Sequence, residues 1–155
     1  MSIEKGAVFD LSLTLVLMVL VLSSCTAITG NYVVVDTGEE EHTFQVEIAD
    51  EDRERYQGLK YRTQISEQGG MFFVFPDKST KSFWMKDTYV PLDIIFINEE
   101  LKVVNIENAE PCEVKDCPSY ESKRPVKYVL EIKGGLAEEL GIEKNDKITV
   151  SGIDI

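Results

Sequence analysis

The sequence predicts a mainly β domain of the α+β class, a compact antiparallel or barrel-like sheet of about eight strands with two short helices. Short apolar segments follow one another through polar or glycine-rich turns, and no regular strand–helix alternation indicates a parallel sheet. The 155 residues are enough for one core and too few for two ordinary domains. We expect a signal peptide or membrane anchor at 1–24, a tether with a first strand at 25–42, and one globular β-rich domain at 43–155.

The first predicted elements are two strands and a short helix. The strands are Tyr32–Asp36 and Thr43–Ala49, and in the second strand apolar side chains alternate with polar ones, which is typical of a half-buried strand. The helix is Glu51–Gln57, because Asp50 is a favourable N-cap and Gly58 is placed as a C-cap.

The middle of the chain predicts four strands. Met71–Pro76 is a continuous apolar run that suits a strand buried on both faces and ended by its proline. The other three are Lys81–Lys86, Leu92–Asn98 and Leu101–Glu107, and a tight acidic turn joins the last two.

The last third of the chain begins with a loop. Residues 108–125 show no periodicity, and a loop of this length indicates either a function or a need for a cross-link. The strand Val126–Lys133, the short helix Leu136–Leu140 and the strand Lys147–Ser151 complete the predicted domain.

The composition excludes several classes of function. A net charge of −12, from 28 acidic and 16 basic side chains, repels phosphate backbones, so we expect no nucleic-acid partner. The only histidine, His42, lies on a charged turn, and the sequence has no nucleophile motif, phosphate-binding glycine loop or histidine pair for zinc. We therefore expect no metal and no cofactor.

The N-terminus has the pattern of an export signal. Leu11–Leu22 is an almost uncharged apolar run, shorter than the roughly 20 residues that a bilayer span needs. Leu22–Cys25 resembles a lipobox, which implies cleavage before Cys25 and a lipid on its sulfur. An uncleaved helix from Leu11 to about Gly30 is the alternative anchor, and a chain that is not exported is the third option. Either anchor makes the membrane a partner and places the domain on the extracytoplasmic face of the cell membrane.

Cys112 and Cys117 form an even pair once Cys25 is assigned to the lipid. An extracellular setting permits a disulfide between them, and closing so small a loop stabilises a fold by about 2 kcal/mol. A pair of thiolate metal ligands and a redox-active pair are the alternatives, although a closed zinc site needs two further ligands.

One segment combines core and polar residues. As a strand, Lys81–Lys86 places Phe83 and Met85 on one face and Trp84 beside Lys86 on the other. The first two side chains then belong to the core. Trp84 is either packed at the rim of the core or a platform for a ligand.

Asp93 interrupts an apolar strand and shares its face with two isoleucines. A carboxylate at such a place needs partners, because burying it alone is costly. Lys86, Arg53 and Arg62 are the expected partners. The carboxylate either forms a buried ion pair that fixes the preceding turn or lines a polar pocket with Trp84 and Lys86.

Five motifs in a fixed order carry a family resemblance. They are GLxxR (Gly58, Leu59, Arg62), GMxFVFP (Gly70–Pro76), FWMKxTxxPLDIxFI (Phe83–Ile97), PCxxxxCPxY (Pro111–Tyr120) and YVLE (Tyr128–Glu131). Over roughly His42 to Val150 the chain resembles the domain of unknown function 192 family. The resemblance implies a compact, mainly β domain, often behind a signal or lipoprotein leader, and it implies no settled biochemical activity.

The chain departs from the family pattern at two positions. Lys60 stands where methionine is common, and Asp87 stands where asparagine is common. With Met71 and Met85 alone, the methionines of this region are too few for a soft-metal site such as copper.

The leading hypothesis is a binding or accessory module for an unknown small molecule or cell-envelope partner. Its pocket consists of Trp84, Lys86, Asp93 and Arg62, with Tyr120 and the cysteine loop at the rim. Aromatic and charged side chains of this kind suit sugars, peptides or small acids.

An enzyme is the second hypothesis, with Asp93 and Glu131 as acid and base on a glycan or another cell-envelope substrate. It requires both carboxyl groups to face one cleft. A structural domain whose exposed face recruits a partner is the third hypothesis.

Overall fold

The computed structural model of the chain describes residues 30–155; the expectations for residues 1–29, including the anchor and the lipid on Cys25, lie outside the described residues. Within the described range there are nine strands and two short helices. In chain order they are β1 (Tyr32–Asp36), β2 (Glu41–Ala49), α1 (Asp52–Gln57), β3 (Gly69–Ser79), β4 (Ser82–Trp84), β5 (Leu92–Ile97), β6 (Val103–Ala109), β7 (Ser119–Glu121), β8 (Val126–Lys133), α2 (Leu136–Glu139) and β9 (Lys147–Ser151). No helix in this range is long and apolar enough to cross a bilayer.

Seven strands form one sheet in the order β6-β5-β8-β3-β2-β1-β9, and β4 and β7 form a separate two-stranded sheet. The two edges of the large sheet meet at a bridge between Lys102 and Lys147, and the Ile148 N–H donates a hydrogen bond to the Leu101 carbonyl. The sheet therefore curls into a barrel-like shape, which protects its edge strands. This architecture confirms the predicted α+β, mainly β class.

One pair of neighbouring strands, β2 and β3, is parallel, whereas the other strand pairs of the described chain are antiparallel. A parallel pair needs a crossover connection, and residues 50–68 supply it with α1. The sheet is mainly antiparallel, as predicted, and this one parallel pair was not predicted, because a single short helix does not produce the repeated strand–helix alternation that indicates parallel strands. The crossover positions the turn after α1, including Leu59, against the outer face of the sheet.

The large sheet buries apolar side chains on both of its faces. The inner face, inside the curl, carries Val33, Val35, Phe44, Val46, Phe72, Ile95, Ile97, Leu130, Ile132 and Ile148, with Leu136 and Ala137 of α2 against it. The outer face carries Met71, Phe73, Leu92, Ile94, Phe96 and Val129, with Leu59, Phe83 and Met85 against it. A fully buried Leu, Ile or Phe contributes about 1.5–3 kcal/mol by leaving water. The alternation predicted for β5 and the two-sided burial predicted for β3 are therefore correct.

The end of β3 differs from the prediction. The strand continues through Pro76 to Ser79 instead of ending at the proline. Its register with β8 shifts between Val74 and Ser79, so the proline lies in an irregular stretch where no N–H is needed for the ladder.

α1 begins one residue later than predicted. Its N-cap is Glu51 instead of Asp50, and Glu51 and Glu54 form a reciprocal capping box. Gly58 ends the helix as predicted, with a φ of 48° that favours glycine. The chain turns sharply there and brings Lys60 close to Trp84 of β4.

Candidate functional site

β4 separates a buried half from an exposed half, as predicted. Met85 is buried, and the Phe83 ring packs edge-on against Phe73 with ring centroids 5.1 Å apart. Trp84 is 48% exposed, and the Lys86 Nζ atom lies 5.5 Å from the centre of its ring. The polar half of this segment therefore faces away from the core.

α1 and the turn that follows it bring two more side chains to Trp84. The Lys60 Nζ atom lies 3.7 Å from the centre of the Tyr56 ring and 5.7 Å from that of Trp84. At both distances the ammonium interacts favourably with the electron-rich ring faces. Tyr56 and Lys60 were not predicted as site residues. Their spacing of four at a helix end is the signal that could have paired them.

The space beneath these rings is a small cleft, which we name the Trp84 cleft. It is lined by Arg55, Tyr56, Gln57, Gly58, Leu59, Lys60, Phe73, Phe83, Trp84, Met85, Thr88, Leu92 and Glu131. Its volume is about 40 Å³, which is room for roughly three water-sized groups. About half of the wall is apolar or aromatic, and one carboxyl group lies in it.

Glu131 provides that carboxyl group. It lies within β8 opposite Met71 and Ile94, whose side chains belong to the outer apolar layer. The residue is only 5% exposed, and no other residue of the described chain forms a hydrogen bond or ion pair with its carboxyl. Burial raises the pKa of Glu131 to about 8, so the group is largely protonated at pH 7.

Two residues with unusual backbone angles join the segments that border the cleft. Tyr61 and Asp87 have positive φ angles of 66° and 62°, which are uncommon outside glycine. The Tyr61 N–H donates a hydrogen bond of 2.6 Å to the Asp87 carbonyl oxygen. The turn after α1 is thereby tied to the turn after β4. Strained backbone of this kind is frequent at functional sites.

Asp93 lies on the inner face of the sheet, away from the Trp84 cleft. It is fully buried and accepts hydrogen bonds from Asn108 Nδ2 at 2.5 Å, the Gly135 N–H at 3.1 Å and the Ala137 N–H at 2.7 Å. Two of these donors belong to the start of α2, so the carboxylate satisfies N–H groups that the helix itself cannot pair. The prediction that Asp93 lines a pocket or pairs with a basic side chain is therefore wrong.

Asp93 and Glu131 face opposite sides of the sheet. Asp93 lies opposite Ile132 of the inner layer, whereas Glu131 lies opposite Ile94 of the outer layer. Residues opposite each other in a strand pair share a face, so the sheet itself separates the two carboxyl groups. The acid–base pair that the enzyme hypothesis requires is not formed.

Arg62 lies on a different surface from Trp84. One guanidinium nitrogen donates to both carboxylate oxygens of Glu47, at 2.6 and 2.7 Å. Arg62 and Glu47 border an open polar groove of about 1320 Å³ along β2. Both side chains are about half exposed, so the ion pair contributes less than about 1 kcal/mol. The predicted pocket of Trp84, Lys86, Asp93 and Arg62 is therefore wrong as a set, and only its first two members lie together.

The cysteine loop supports the segment that carries Trp84. Cys112 and Cys117 form the predicted disulfide, with Cα atoms 5.8 Å apart. The strand predicted over Lys81–Lys86 is only three residues long, and Lys86 pairs with Cys112 through an isolated bridge beyond its end. Among residues 30–155 no group of three His, Cys, Asp or Glu side chains is placed to hold a metal ion.

Tyr120 was expected at the rim of the site but packs behind β4. It lies opposite Phe83 in the β4–β7 pair and contacts the outer apolar layer. Its hydroxyl accepts a hydrogen bond of 3.2 Å from the Glu110 N–H. Tyr120 therefore positions the strand and does not line the cleft.

The curled sheet, its two-stranded outer layer and the cleft between them define a small β domain with one buried acid beneath an aromatic rim. The chain belongs to the DUF192 family (Uncharacterized ACR), whose model matches residues 33–150. It is 28% identical over 117 residues to the UPF0127 protein PF1050 of Pyrococcus furiosus, an alignment that covers 72% of this chain and 91% of that protein. The family resemblance inferred from the five motifs is confirmed.

Two solved structures share the fold. A protein of unknown function from Novosphingobium aromaticivorans is 38% identical, with a TM-score of 0.72 over 76% of this chain and 83% of that chain. A protein from Sinorhizobium meliloti described as a candidate transcription regulator is 36% identical, with a TM-score of 0.72 over 79% of this chain and 95% of that chain.

Proposed function

We propose that this protein is a membrane-tethered, extracytoplasmic binding module whose Trp84 cleft takes a narrow group from a small molecule or a cell-envelope partner. The observation that carries the proposal is Glu131, which is only 5% exposed and whose carboxyl reaches an accessible cleft without a hydrogen-bond or ion-pair partner in the described chain. Buried polar groups are nearly always hydrogen-bonded, because burying one alone costs free energy. A bound group that hydrogen-bonds Glu131 removes that cost.

The size of the cleft limits what binds in it. A volume of about 40 Å³ admits a small head group on an alkyl chain and excludes a sugar ring. Aromatic and charged residues suit several classes of ligand. In the Trp84 cleft, a narrow polar group fits better than a carbohydrate.

Two exposed rings give the cleft an aromatic rim. Tyr56 is 72% exposed and Trp84 is 48% exposed. Large aromatic side chains bury much of their area in most proteins, and exposed ones beside a cleft are typical of binding surfaces. A ligand chain that leaves the cleft lies against these rings.

Trp84 is the only tryptophan of the chain, so its fluorescence reports on the cleft. We expect at least one of the probes n-butylammonium, n-butanol and n-butyrate to change its emission saturably. Tyr56→Ala should weaken the response. Tyr89→Ala removes an exposed aromatic ring that does not line the cleft and should leave the response unchanged. The proposal fails if none of the probes produces a saturable change.

The location outside the cytoplasm rests on the sequence. The apolar run Leu11–Leu22 and the Leu22–Cys25 motif support a lipid on Cys25. The Cys112–Cys117 disulfide supports the same location, because disulfides persist in oxidising compartments.

A further inference from the structure

We infer that the group taken by the Trp84 cleft is a primary ammonium at the end of an unbranched alkyl chain, with the Glu131 carboxylate as its counter-charge. This inference rests on the proposed function, since it names the ligand chemistry of the same cleft. Lysine side chains and free alkyl diamines both present this group.

Glu131 selects for a cation. Its carboxyl lies beside the outer apolar layer, with no hydrogen bond or ion pair to the rest of the described chain. A carboxylate ligand is repelled by the ionised acid, and a neutral ligand leaves the acid protonated. An ammonium favours the ionised acid and donates a charge-assisted hydrogen bond, which is stronger than a neutral one in a site shielded from water.

Lys60 shows that the aromatic rim accommodates an ammonium. Its Nζ atom lies 3.7 Å from the ring centre of Tyr56, and Lys60 itself lines the cleft. The ring faces of Tyr56 and Trp84 attract cations. The Lys60 ammonium is therefore an internal competitor at the entrance that a ligand ammonium has to pass.

The dimensions of the cleft favour a primary ammonium over a methylated one. A volume of about 40 Å³ holds roughly three water-sized groups. A primary ammonium is close to one such group in size, whereas a trimethylammonium is several times larger. Only the primary group also presents N–H donors to the Glu131 oxygens.

The other charged groups around the cleft have partners of their own and do not pair with Glu131. Besides Glu131, the titratable or charged side chains that face the cleft are Arg55, Tyr56 and Lys60, and the β3, β4 and β5 residues in its wall carry none. Arg55 is paired with Asp52 at 2.6 Å, and Lys60 lies over Tyr56. The net charge of −12 also raises the local concentration of cations.

The test is calorimetric titration of the full-length protein with n-butylammonium, n-butanol and n-butyltrimethylammonium at pH 8.5. We expect butylammonium to bind at least about tenfold more tightly than the other two. Glu131→Gln should lower the affinity for butylammonium to that for butanol. Unchanged affinity for butanol in this variant would show that the cleft is intact. Affinity for butylammonium should fall as the pH is lowered from about 8 to 6, because Glu131 has to release a proton while the amine stays charged.

Lys60 supplies a second variant that does not touch the buried acid. Lys60→Met removes the internal competitor and should tighten butylammonium binding severalfold. Lys81→Met is the matched control, since Lys81 Nζ lies 4.1 Å from the Phe75 ring and neither residue lines the cleft. It should leave the binding unchanged, and equal effects of the two substitutions overturn the role of Lys60.

The outcomes separate this inference from the proposed function. Equal binding of butanol and butylammonium overturns the ammonium inference while the cleft remains a binding site, and binding of no probe overturns both. Nα-acetyl-lysine N-methylamide and 1,5-diaminopentane are then tested as competitors of butylammonium. Displacement supports the inference, and the tighter competitor identifies a peptide lysine or a free diamine as the source. Displacement by neither compound contradicts the inference.

Discussion

At the scale of single residues, two acids in apolar strands show how environment sets their roles. Asp93 and Glu131 both interrupt runs of buried apolar side chains. Asp93 faces the start of α2 and accepts hydrogen bonds from its N–H groups, whereas Glu131 faces the cleft and has no such partner in the described chain. Strand alternation predicts which face each acid occupies. It does not predict which groups lie on that face, because the two backbone N–H groups that bond Asp93 belong to residues about 40 positions further along the chain.

Glu131 makes stability depend on pH in an unusual direction. Its pKa is raised from 4.5 to about 8 in the folded state. Between these values the unfolded chain is ionised while the folded chain keeps the proton, so stability falls as the pH rises, by up to about 1.4 kcal/mol per pH unit. Below this window Glu131 contributes no slope, and above it the loss is complete.

Glu131→Gln should remove this dependence. Urea unfolding at pH 5 and pH 8 should show wild type losing stability relative to the variant as the pH rises, with the variant the more stable of the two at pH 8. Parallel changes in the two proteins would mean that Glu131 is ionised or paired in the folded state.

Asp93→Ala should destabilise the fold by about 3 kcal/mol, because it leaves the Gly135 and Ala137 N–H groups without their acceptor. Asp146→Ala is the control. Asp146 accepts a comparable bond from the Glu143 N–H in an exposed turn, so its loss should cost less than about 1 kcal/mol. Free energies of unfolding in urea measure both. Equal losses would show that burial of the Asp93 bonds does not matter.

At the scale of elements, the close approach of β3 and β8 determines the position of Glu131. Gly70 lies in β3, and a Cβ atom there would come within 2.5 Å of the Glu131 carbonyl oxygen. A side chain at this position therefore forces the two strands apart. The absence of a side chain at Gly70 therefore allows β3 and β8 to pair regularly at Glu131.

Gly70→Ala should accordingly cost about 1–3 kcal/mol through overpacking. Gly69→Ala is the neighbouring control, because its Cβ atom would lie 3.3 Å from the Cβ atom of the exposed Ser66 and no nearer than 3.6 Å to its backbone. Thermal unfolding compared for the two variants gives the difference. A loss at Gly69 as large as that at Gly70 would contradict the steric argument.

The Cys112–Cys117 disulfide should stabilise the domain by only about 2 kcal/mol, since it closes a short loop. Reduction should lower the urea midpoint without unfolding the protein, and the double variant Cys112→Ser, Cys117→Ser should match the reduced wild type. Complete unfolding on reduction would show that the loop holds the whole outer layer in place.

Periodicity predicted most elements of the described chain but missed two features of their arrangement. β7 has only three residues, which are too few for an alternating pattern, so this strand was not predicted and its residues were assigned to the loop 108–125. The parallel pairing of β2 with β3 depends on the path of the chain around α1, which no local pattern records. For the site, alternation placed Trp84 beside Lys86 correctly. Arg62 was misplaced because its partner, Glu47, comes from another element, β2. Tyr56 was missed although its spacing of four from Lys60 is visible in the sequence.

At the scale of the whole molecule, an acidic domain is proposed to stand beside a membrane. The chain carries a net charge of −12, most of it in this domain, and anionic lipid headgroups repel it. Direct adsorption of the domain to the bilayer is therefore disfavoured, and the proposed attachment is through the N-terminal segment.

Cys25→Ser should release the domain into the soluble fraction, because it removes the proposed site of the lipid. Cys117→Ser, which breaks the Cys112–Cys117 disulfide of the described domain, should leave the protein in the membrane fraction. Immunoblots of both fractions measure the result. Retention of the Cys25→Ser variant in the membrane would indicate an uncleaved helix as the anchor.

The first and last strands of the sheet also determine where the chain can be extended. β1 lies between β2 and β9, Tyr32 is opposite Ser151, and Gly152 packs against the backbone of Gly30. The two ends of the folded region therefore leave the sheet side by side. With the proposed membrane anchor, a passenger protein fused after residue 155 would lie next to the tether and close to the bilayer. A circular permutant that joins these ends and opens in the exposed turn between β1 and β2 should keep all seven strands of the sheet.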